Sequence, residues 1–491
     1  MPSIQHPNII MGEEGNSVSI KSGRSHMRQR LSRTHQGFQK DLGTFTLTLL
    51  TLGGIMGSGL FMASGLAIKR AGPSALILYG IGLIAMYLEI SALGEMSIAS
   101  PTPGSFLNYT KVVLGPGWTF VAGWIFWFSS VLTMSSEVTA ASLFSRLWFP
   151  HIALWVWSLA YSAFIIAVNF ISVRGFGTVE DIMAGVKSIA VLLFVVIGIL
   201  ALTHTLPSTP SYVARAGFAN FLNHGGWVPH GWLGAAPAFL LVLFAYAGTG
   251  VIGLAAAETK NPRRTIARTI RWTVGLVAIM YLGSILLILN LVPWQHMSSS
   301  VSPFVLAVSA TQFPYGAAIM NLVLLFAVLS TMNAALYSNV RVLYGLAHAH
   351  QAPRTLGKLN AKGVPANAIW MSAGLLALTI ILAYVLPAKA YGYLVTATGF
   401  QAMFIWFMVL LTQIYYRPYL KRHHPDRLTY RLWGFPYTTY LVIAVIFVGL
   451  LASPFATGEE MGAIVGLAGI IIAWIAWLVL RHRLKDSISS S

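Results

Sequence analysis

Gly53-Gly54-Ile55-Met56-Gly57-Ser58-Gly59 and Ala245-Tyr246-Ala247-Gly248-Thr249-Gly250 decide the reading of this chain. Each lies inside a long apolar segment where an unbroken membrane helix would otherwise run. In the first, four glycines in seven residues each penalise helix by about 1 kcal/mol relative to alanine, which favours an unwound stretch. Lipid offers no hydrogen bonds, so backbone groups freed at that depth are tolerated only where they line a cavity or bind something. Paired interruptions in corresponding halves of a chain point to a substrate site at the bilayer midplane, and so to a secondary transporter. The alternative is close helix packing, for which Gly53-xxx-Gly57 is a common motif; packing needs glycine at one spacing and leaves Gly57-Ser58-Gly59 without a reason.

Composition agrees with a membrane domain. Of 491 residues, 56% are hydrophobic and 9% charged, against about 25% charged in a soluble protein. About 20 apolar residues span the hydrocarbon core, and twelve such stretches are expected here, over 43–69, 73–99, 118–145, 152–172, 181–203, 232–257, 270–292, 314–347, 365–386, 391–415, 435–453 and 461–481. Cysteine is absent, which excludes disulfides and thiolate metal sites. Residues 1–40 form a polar tail without the apolar core of a cleavable signal, and read as disordered.

The net charge of +18 does not indicate nucleic acid, because its distribution follows the membrane. With a cytoplasmic N-terminus and twelve spans, 25 of the 31 Lys and Arg fall on the inside and 5 outside, the positive-inside bias. The remaining one, Lys187, lies within span five. Both termini are therefore expected in the cytoplasm. The two interruptions fall in spans one and six, which run in opposite directions. The expected fold is thus an all-α polytopic membrane protein with a 5+5 inverted repeat, broken helices one and six, and two extra helices. Its parts are a tail (1–40), a transport core (41–417), two additional spans (418–481) and a second tail (482–491).

Unwinding places N–H groups at the start of the outer half-helix, where the dipole is positive. Ser58, Gly59 and Leu60 are then positioned to donate to a carboxylate, and carbonyls near Ile55 to face an ammonium. The second break supplies the carbonyls of Phe244, Ala245 and Ala247. Phe126, Met134, Phe244, Tyr246 and Met332 are candidate pocket walls, although such side chains serve packing more often than binding. Lys187 lies about six residues into its span, roughly 9 Å deep; it either snorkels to the interface or is buried, desolvated and able to exchange a proton. Glu89, Glu95 and Glu137 are intramembrane carboxylates, which face a pathway or a partner; Glu95 and Glu137 stand as structural or gating acids.

Gly54-Ile55-Met56-Gly57-Ser58-Gly59-Leu60-Phe61 resembles the first-helix motif of the amino acid–polyamine–organocation superfamily. Leu93-Gly94-Glu95-Met96, Gly104-Ser105-Phe106 with Tyr109, Gly123-Trp124, Lys187-Ser188-Ile189-Ala190, Ala256-Ala257-Glu258 before Asn261-Pro262, and Asn333-Ala334-Ala335-Leu336-Tyr337 before Arg341 are similar to its bacterial amino acid transporter family. The likeness runs in order from residue 38 to about residue 480. It implies proton-coupled amino acid uptake, with Gly57-Ser58-Gly59 on the substrate carboxylate and the span-six carbonyls on its ammonium. It also implies that Lys187 occupies the place of a sodium ion in sodium-coupled relatives, touching carbonyls near Gly53 and Gly54 and the hydroxyls of Ser330 or Thr331.

Two departures bear on specificity. Glu89 is not part of the family pattern, and Ser91 stands where relatives often carry Arg. Where many relatives have Gly-Thr-Glu after the second break, this chain has Gly248-Thr249-Gly250. A cationic substrate side chain then lacks an evident partner, and a neutral L-amino acid is expected. The sequence therefore reads as a proton symporter for a neutral amino acid in a bacterial cytoplasmic membrane, its partners being the substrate, the proton and the lipid bilayer, with no nucleic acid. Protons serve as the coupling ion and no cofactor is expected. An exchanger of the same fold is the alternative, and a sensor a more distant one. No nucleophilic triad, phosphate loop or metal cluster appears, so an enzyme is not expected.

Overall fold

The computed structural model describes residues 43–102, 104–171, 173–203, 225–259, 261–311, 313–360, 363–386, 390–455 and 460–489. The 1–40 tail and most of the expected outer loop 204–231 lie outside them. So do Lys260, Lys362 and Lys389, and the side chains of Arg174 and Glu180.

The described elements are helical. The first expected span is three helices, α1 (Thr44–Ile55), α2 (Ser58–Phe61) and α3 (Ala63–Ala71), followed by α4 (Ala75–Ala99). A short helix, α5 (Phe106–Val113), precedes α6 (Pro116–Ser145), α7 (Leu154–Ile171) and α8 (Val173–Leu202). The sixth expected span is likewise divided, into α9 (Gly231–Ala235), α10 (Ala238–Ala245) and α11 (Val251–Leu254). Then come α12 (Pro262–Val277) and α13 (Gly283–Leu291), joined by a π-helical turn at Ala278–Leu282, and α14 (Pro303–Ala310). The chain continues with α15 (Gly316–His348), α16 (Ala366–Val385), α17 (Ala390–His423), α18 (Tyr437–Ala452) and α19 (Glu460–Ser489).

By length and apolarity, seven helical stretches among the described residues suffice to cross a membrane, and four shorter apolar helices fall where spans were expected. Large apolar side chains such as Ile189, Leu378, Val448 and Ile472 are exposed, a surface that water would not support at this extent. Both glycine-dense segments are broken, so neither span is a continuous rod. Three boundaries differ from the sequence reading. The seventh span is helical from Pro262, α5 and α14 are additional helices, and the core limit drawn at 417 falls inside α17. The first turns of α12 and the whole of α5 are amphipathic and lack the uniform apolarity by which the spans were read, while α14 is apolar but only eight residues long, so these helices went unrecognised.

The two breaks are pressed together. A Cβ on Gly59 would stand 2.6 Å from the Ala245 Cα, and one on Gly248 2.3 Å from the Gly54 carbonyl oxygen. Gly248 also has φ +104°, a conformation that side-chain-bearing residues rarely adopt. Tyrosines pack beside this junction: Tyr246 stacks on Tyr281 at 4.9 Å, packs edge-on against Tyr79, and its hydroxyl donates to the Tyr79 carbonyl at 2.8 Å.

Gly248→Ala is therefore expected to be disruptive, while Gly250→Ala, whose new methyl would meet only Phe126 at 3.6 Å, is tolerated. Size-exclusion profiles and thermal melts of the two purified variants check this. Equal behaviour would mean that the backbones do not need their close approach.

Candidate functional site

In α1 and α2 the break frees backbone groups at Gly53, Ile55 and Met56 on one side and at Ser58 on the other. Each has a partner. The Ser58 N–H donates to the Glu137 carboxylate at 2.8 and 3.1 Å, and the Ser58 hydroxyl lies 3.0 Å from the same group. Glu137 comes from α6 and is fully buried; a Cβ at Gly57 would collide with it at 2.5 Å, so glycine there makes its approach possible. The Ser58 carbonyl accepts from the Tyr391 hydroxyl at 3.0 Å.

Lys187 reaches the other side from α8. Its ammonium lies 2.7 Å from the Gly53 carbonyl, 3.2 Å from that of Met56, 3.0 Å from Ser330 Oγ and 3.4 Å from Thr331 Oγ1. The side chain is 1% exposed and runs to the break, not along its helix toward the interface. Tyr281, on the π turn, joins the two breaks. Its hydroxyl lies 3.1 Å from the Ile55 carbonyl and 2.9 Å from that of Ala245. Single π turns widen a helix locally and recur at functional sites.

Beside the breaks is a cavity of about 100 Å³, lined by Gly54, Ile55, Gly57 and Gly59 of the first and Phe244 and Ala247 to Val251 of the second. Its remaining walls come from α4, α5, α6, α15 and α17, including Glu89, Phe126, Glu137 and Trp406. Since α6 starts beside α5, the wall residues Phe126, Ser129, Ser130, Thr133 and Glu137 trace the cavity from the α5 end to the break.

Comparison with known proteins gives this geometry a family. Residues 46–488 match the family model described as "Amino acid permease". The chain is 34% identical over 465 residues to an uncharacterized amino acid permease, YtnA, of Bacillus subtilis, covering 95% of this chain and 99% of that one. It is 33% identical to the gamma-aminobutyric acid permease of the same organism, over 92% of this chain and 96% of the other. It is 32% identical to the aromatic amino acid transport protein AroP of Corynebacterium glutamicum, over 86% and 90%. The chain belongs to the amino acid permease family. It is a multi-pass membrane protein that transports an amino acid, and not an enzyme.

The permease departs from the sequence reading at several site residues. Ile55, Gly59, Phe244 and Ala247 line the cavity, while Ser58, Leu60 and Ala245 do not. The Ser58 N–H is taken by Glu137, the Leu60 N–H by the Gly57 carbonyl at 3.1 Å, and the Ala245 carbonyl by Tyr281. Phe244's carbonyl accepts from the Ala247 N–H at 3.0 Å. Of the expected walls, Phe126 and Phe244 face the cavity, and Met134, Tyr246 and Met332 are packed away from it. Tyr281 and Tyr391 were missed; a lone aromatic on an apolar helix carries no signal that separates a bridging hydroxyl from packing.

The acids divide by environment. Glu95 sits near the end of α4, accepts from the Leu432 N–H at 2.6 Å and lies 3.4 Å from Arg417, tying α4 to α17 and the segment before α18. Glu137 holds the first break. Glu89, a departure from the family pattern, accepts from the Thr249 hydroxyl at 2.7 Å and so reaches the second break. An ionised carboxylate at such depth costs about 2.5–3.5 kcal/mol or more without a partner.

Glu137→Ala removes the only side chain that receives the Ser58 N–H. A buried donor left unsatisfied costs about 1–3 kcal/mol, so the apparent Tm of the purified variant in detergent is expected to fall. An unchanged Tm would remove Glu137 as the support of the first break.

Proposed function

We propose that this permease imports an amino acid across a bacterial cytoplasmic membrane by proton symport through alternating access. In this reading twelve spans form two inverted five-helix sets with an appended pair, residues 41–417 and 418–481, and both termini are cytoplasmic. The substrate zwitterion occupies the junction of the two breaks. Its carboxylate takes over the Ser58 N–H from Glu137, and its ammonium meets the Ile55 and Ala247 carbonyls, with Gly59 giving the backbone access.

The observation that carries the coupling is the position of Lys187. A protonated ammonium donates three hydrogen bonds, and four oxygens of the first break and α15 lie within reach of it. Loss of the proton withdraws a donor and the charge that holds the unwound carbonyls together. The shape of the break is thereby linked to protonation, which is what a symporter needs. Rigid motion of one helix set against the other then opens the cavity alternately to the two sides. The run of wall residues from Phe106 and Phe126 to Glu137 supports access to the cavity from the α5 end. Gly250, taken alone, supports a neutral side chain on the transported amino acid.

Uptake of labelled amino acids into proteoliposomes, with and without an imposed inward proton gradient, tests this reading. The wild-type protein is expected to accumulate substrate only with the gradient, and Lys187→Ala to lose about tenfold or more of that accumulation, the scale of a lost charged hydrogen-bond set. Uptake that ignores the gradient but requires amino acid inside the vesicle would establish exchange. A Lys187→Ala variant with unaltered gradient response would remove Lys187 from coupling.

A further inference from the structure

The neutral-substrate expectation rests on an empty position, Gly250, and the fold fills that position's surroundings from elsewhere. Helix α4 carries Glu89 to the second break, where the Thr249 hydroxyl, one residue from Gly250, donates to Oε2 at 2.7 Å. Glu89 and Gly250 line the same cavity. Glu89 is 1% exposed, and no ion pair among the described residues includes it; those pairs are Arg341–Glu258 and Arg417–Glu95. A carboxylate has about four acceptor sites, and the Thr249 bond fills one.

Its two fellow acids have their uses in the fold. Glu95 is met by Leu432 and Arg417, and Glu137 by Ser58 with Lys187 across the same break. Glu89 and Glu137 both line the cavity, but Glu137 is engaged by the Ser58 N–H and hydroxyl, whereas Glu89 meets the single hydroxyl of Thr249. Buried charge is retained where it is paired or faces a pathway, and here the cavity supplies the pathway.

Space also allows a ligand there. A Cβ on Gly250 would meet only Phe126 Cε2 at 3.6 Å, so the absent side chain leaves room beside the Glu89 carboxylate. The zwitterion ends of the substrate are accounted for by the first break and the Ala247 carbonyl, which leaves Glu89 for the substrate's side chain.

We infer that Glu89 pairs with a protonated nitrogen on the substrate side chain, so that the permease selects a basic amino acid over a neutral one. This rests on the amino acid transport proposed above and names the substrate class of that same site. The carboxylate comes from α4, and the volume beside Gly250 stays open for the side chain it would pair with.

The test is competition in proteoliposomes of the full chain, with lysine and arginine set against leucine and methionine. The wild-type protein is expected to prefer the basic pair by about tenfold or more. Glu89→Gln, which keeps the shape, should lose about that preference while keeping a monodisperse elution profile. Glu89→Gln combined with Gly250→Glu should restore the preference from the other side of the cavity. Three outcomes would overturn the inference: neutral amino acids carried while basic ones fail to compete, an unchanged ranking in Glu89→Gln, or equal loss of all substrates, which would put Glu89 on the common ammonium. A folded protein that carries no amino acid at all would sink the transport reading itself.

Discussion

Unwinding a helix in hydrocarbon frees peptide groups that the solvent cannot satisfy, and the centre of this permease is organised around that debt. The first break releases carbonyls at one lip and an N–H at the other. Lys187 covers the carbonyls of Gly53 and Met56, Glu137 the N–H of Ser58, and Tyr281 and Tyr391 the carbonyls of Ile55 and Ser58. With Thr331, whose hydroxyl lies 3.1 Å from the Gly53 carbonyl and 2.9 Å from that of Met56, five side chains from α6, α8, the π turn, α15 and α17 thus converge on one unwound segment. The cation meets the carbonyl lip and the anion meets the amide lip, each complementary to the local dipole. A helix broken this way is stable only in company.

That arrangement constrains how a substrate can bind. The groups best suited to a zwitterion are already occupied by protein groups of matching charge. An incoming carboxylate must displace Glu137 or share the amide with it, and two carboxylates in one dry site repel. If the zwitterion binds at the breaks as proposed, its binding is an exchange of partners and not the filling of a vacant slot. Such exchanges let a ligand shift an equilibrium between two conformations, because its differential contacts are with groups that hold one of them. Tyr281 extends the same logic to the second break: one hydroxyl near the Ile55 and Ala245 carbonyls makes the position of each break depend on the other.

Much of the architecture was legible in the chain. Glycine density located both interruptions, and the depth of Lys187 in its span singled it out before any contact was known. Its neighbours Gly53, Ser330 and Thr331 followed from the family resemblance and not from spacing. The illegible part is the cross-helix chemistry. Glu137 read as a structural or gating acid because nothing in Ser136-Glu137-Val138 says which distant amide it will meet, 79 residues earlier in the chain. The same holds for Tyr281: a π turn is a local shift in hydrogen-bond register, and Ala278–Leu282 is apolar enough to read as ordinary helix.

Glu89 shows why absence at a motif position is weak evidence about a site. Reading down the sixth span, Gly250 is a carboxylate lost. In space, the second break is a volume bounded by several helices, and any of them can furnish the charge. Glu89 stands six residues before Glu95 on α4, a little under two helical turns, so one helix places one acid in the cavity wall and ties the other to Leu432 and Arg417. What a substrate meets in such a cavity is a field set by distance and not by position in the sequence. On the reading proposed for Glu89, a carboxylate on α4 keeps a charge on the cavity wall and leaves the volume beside Gly250 to the substrate's side chain.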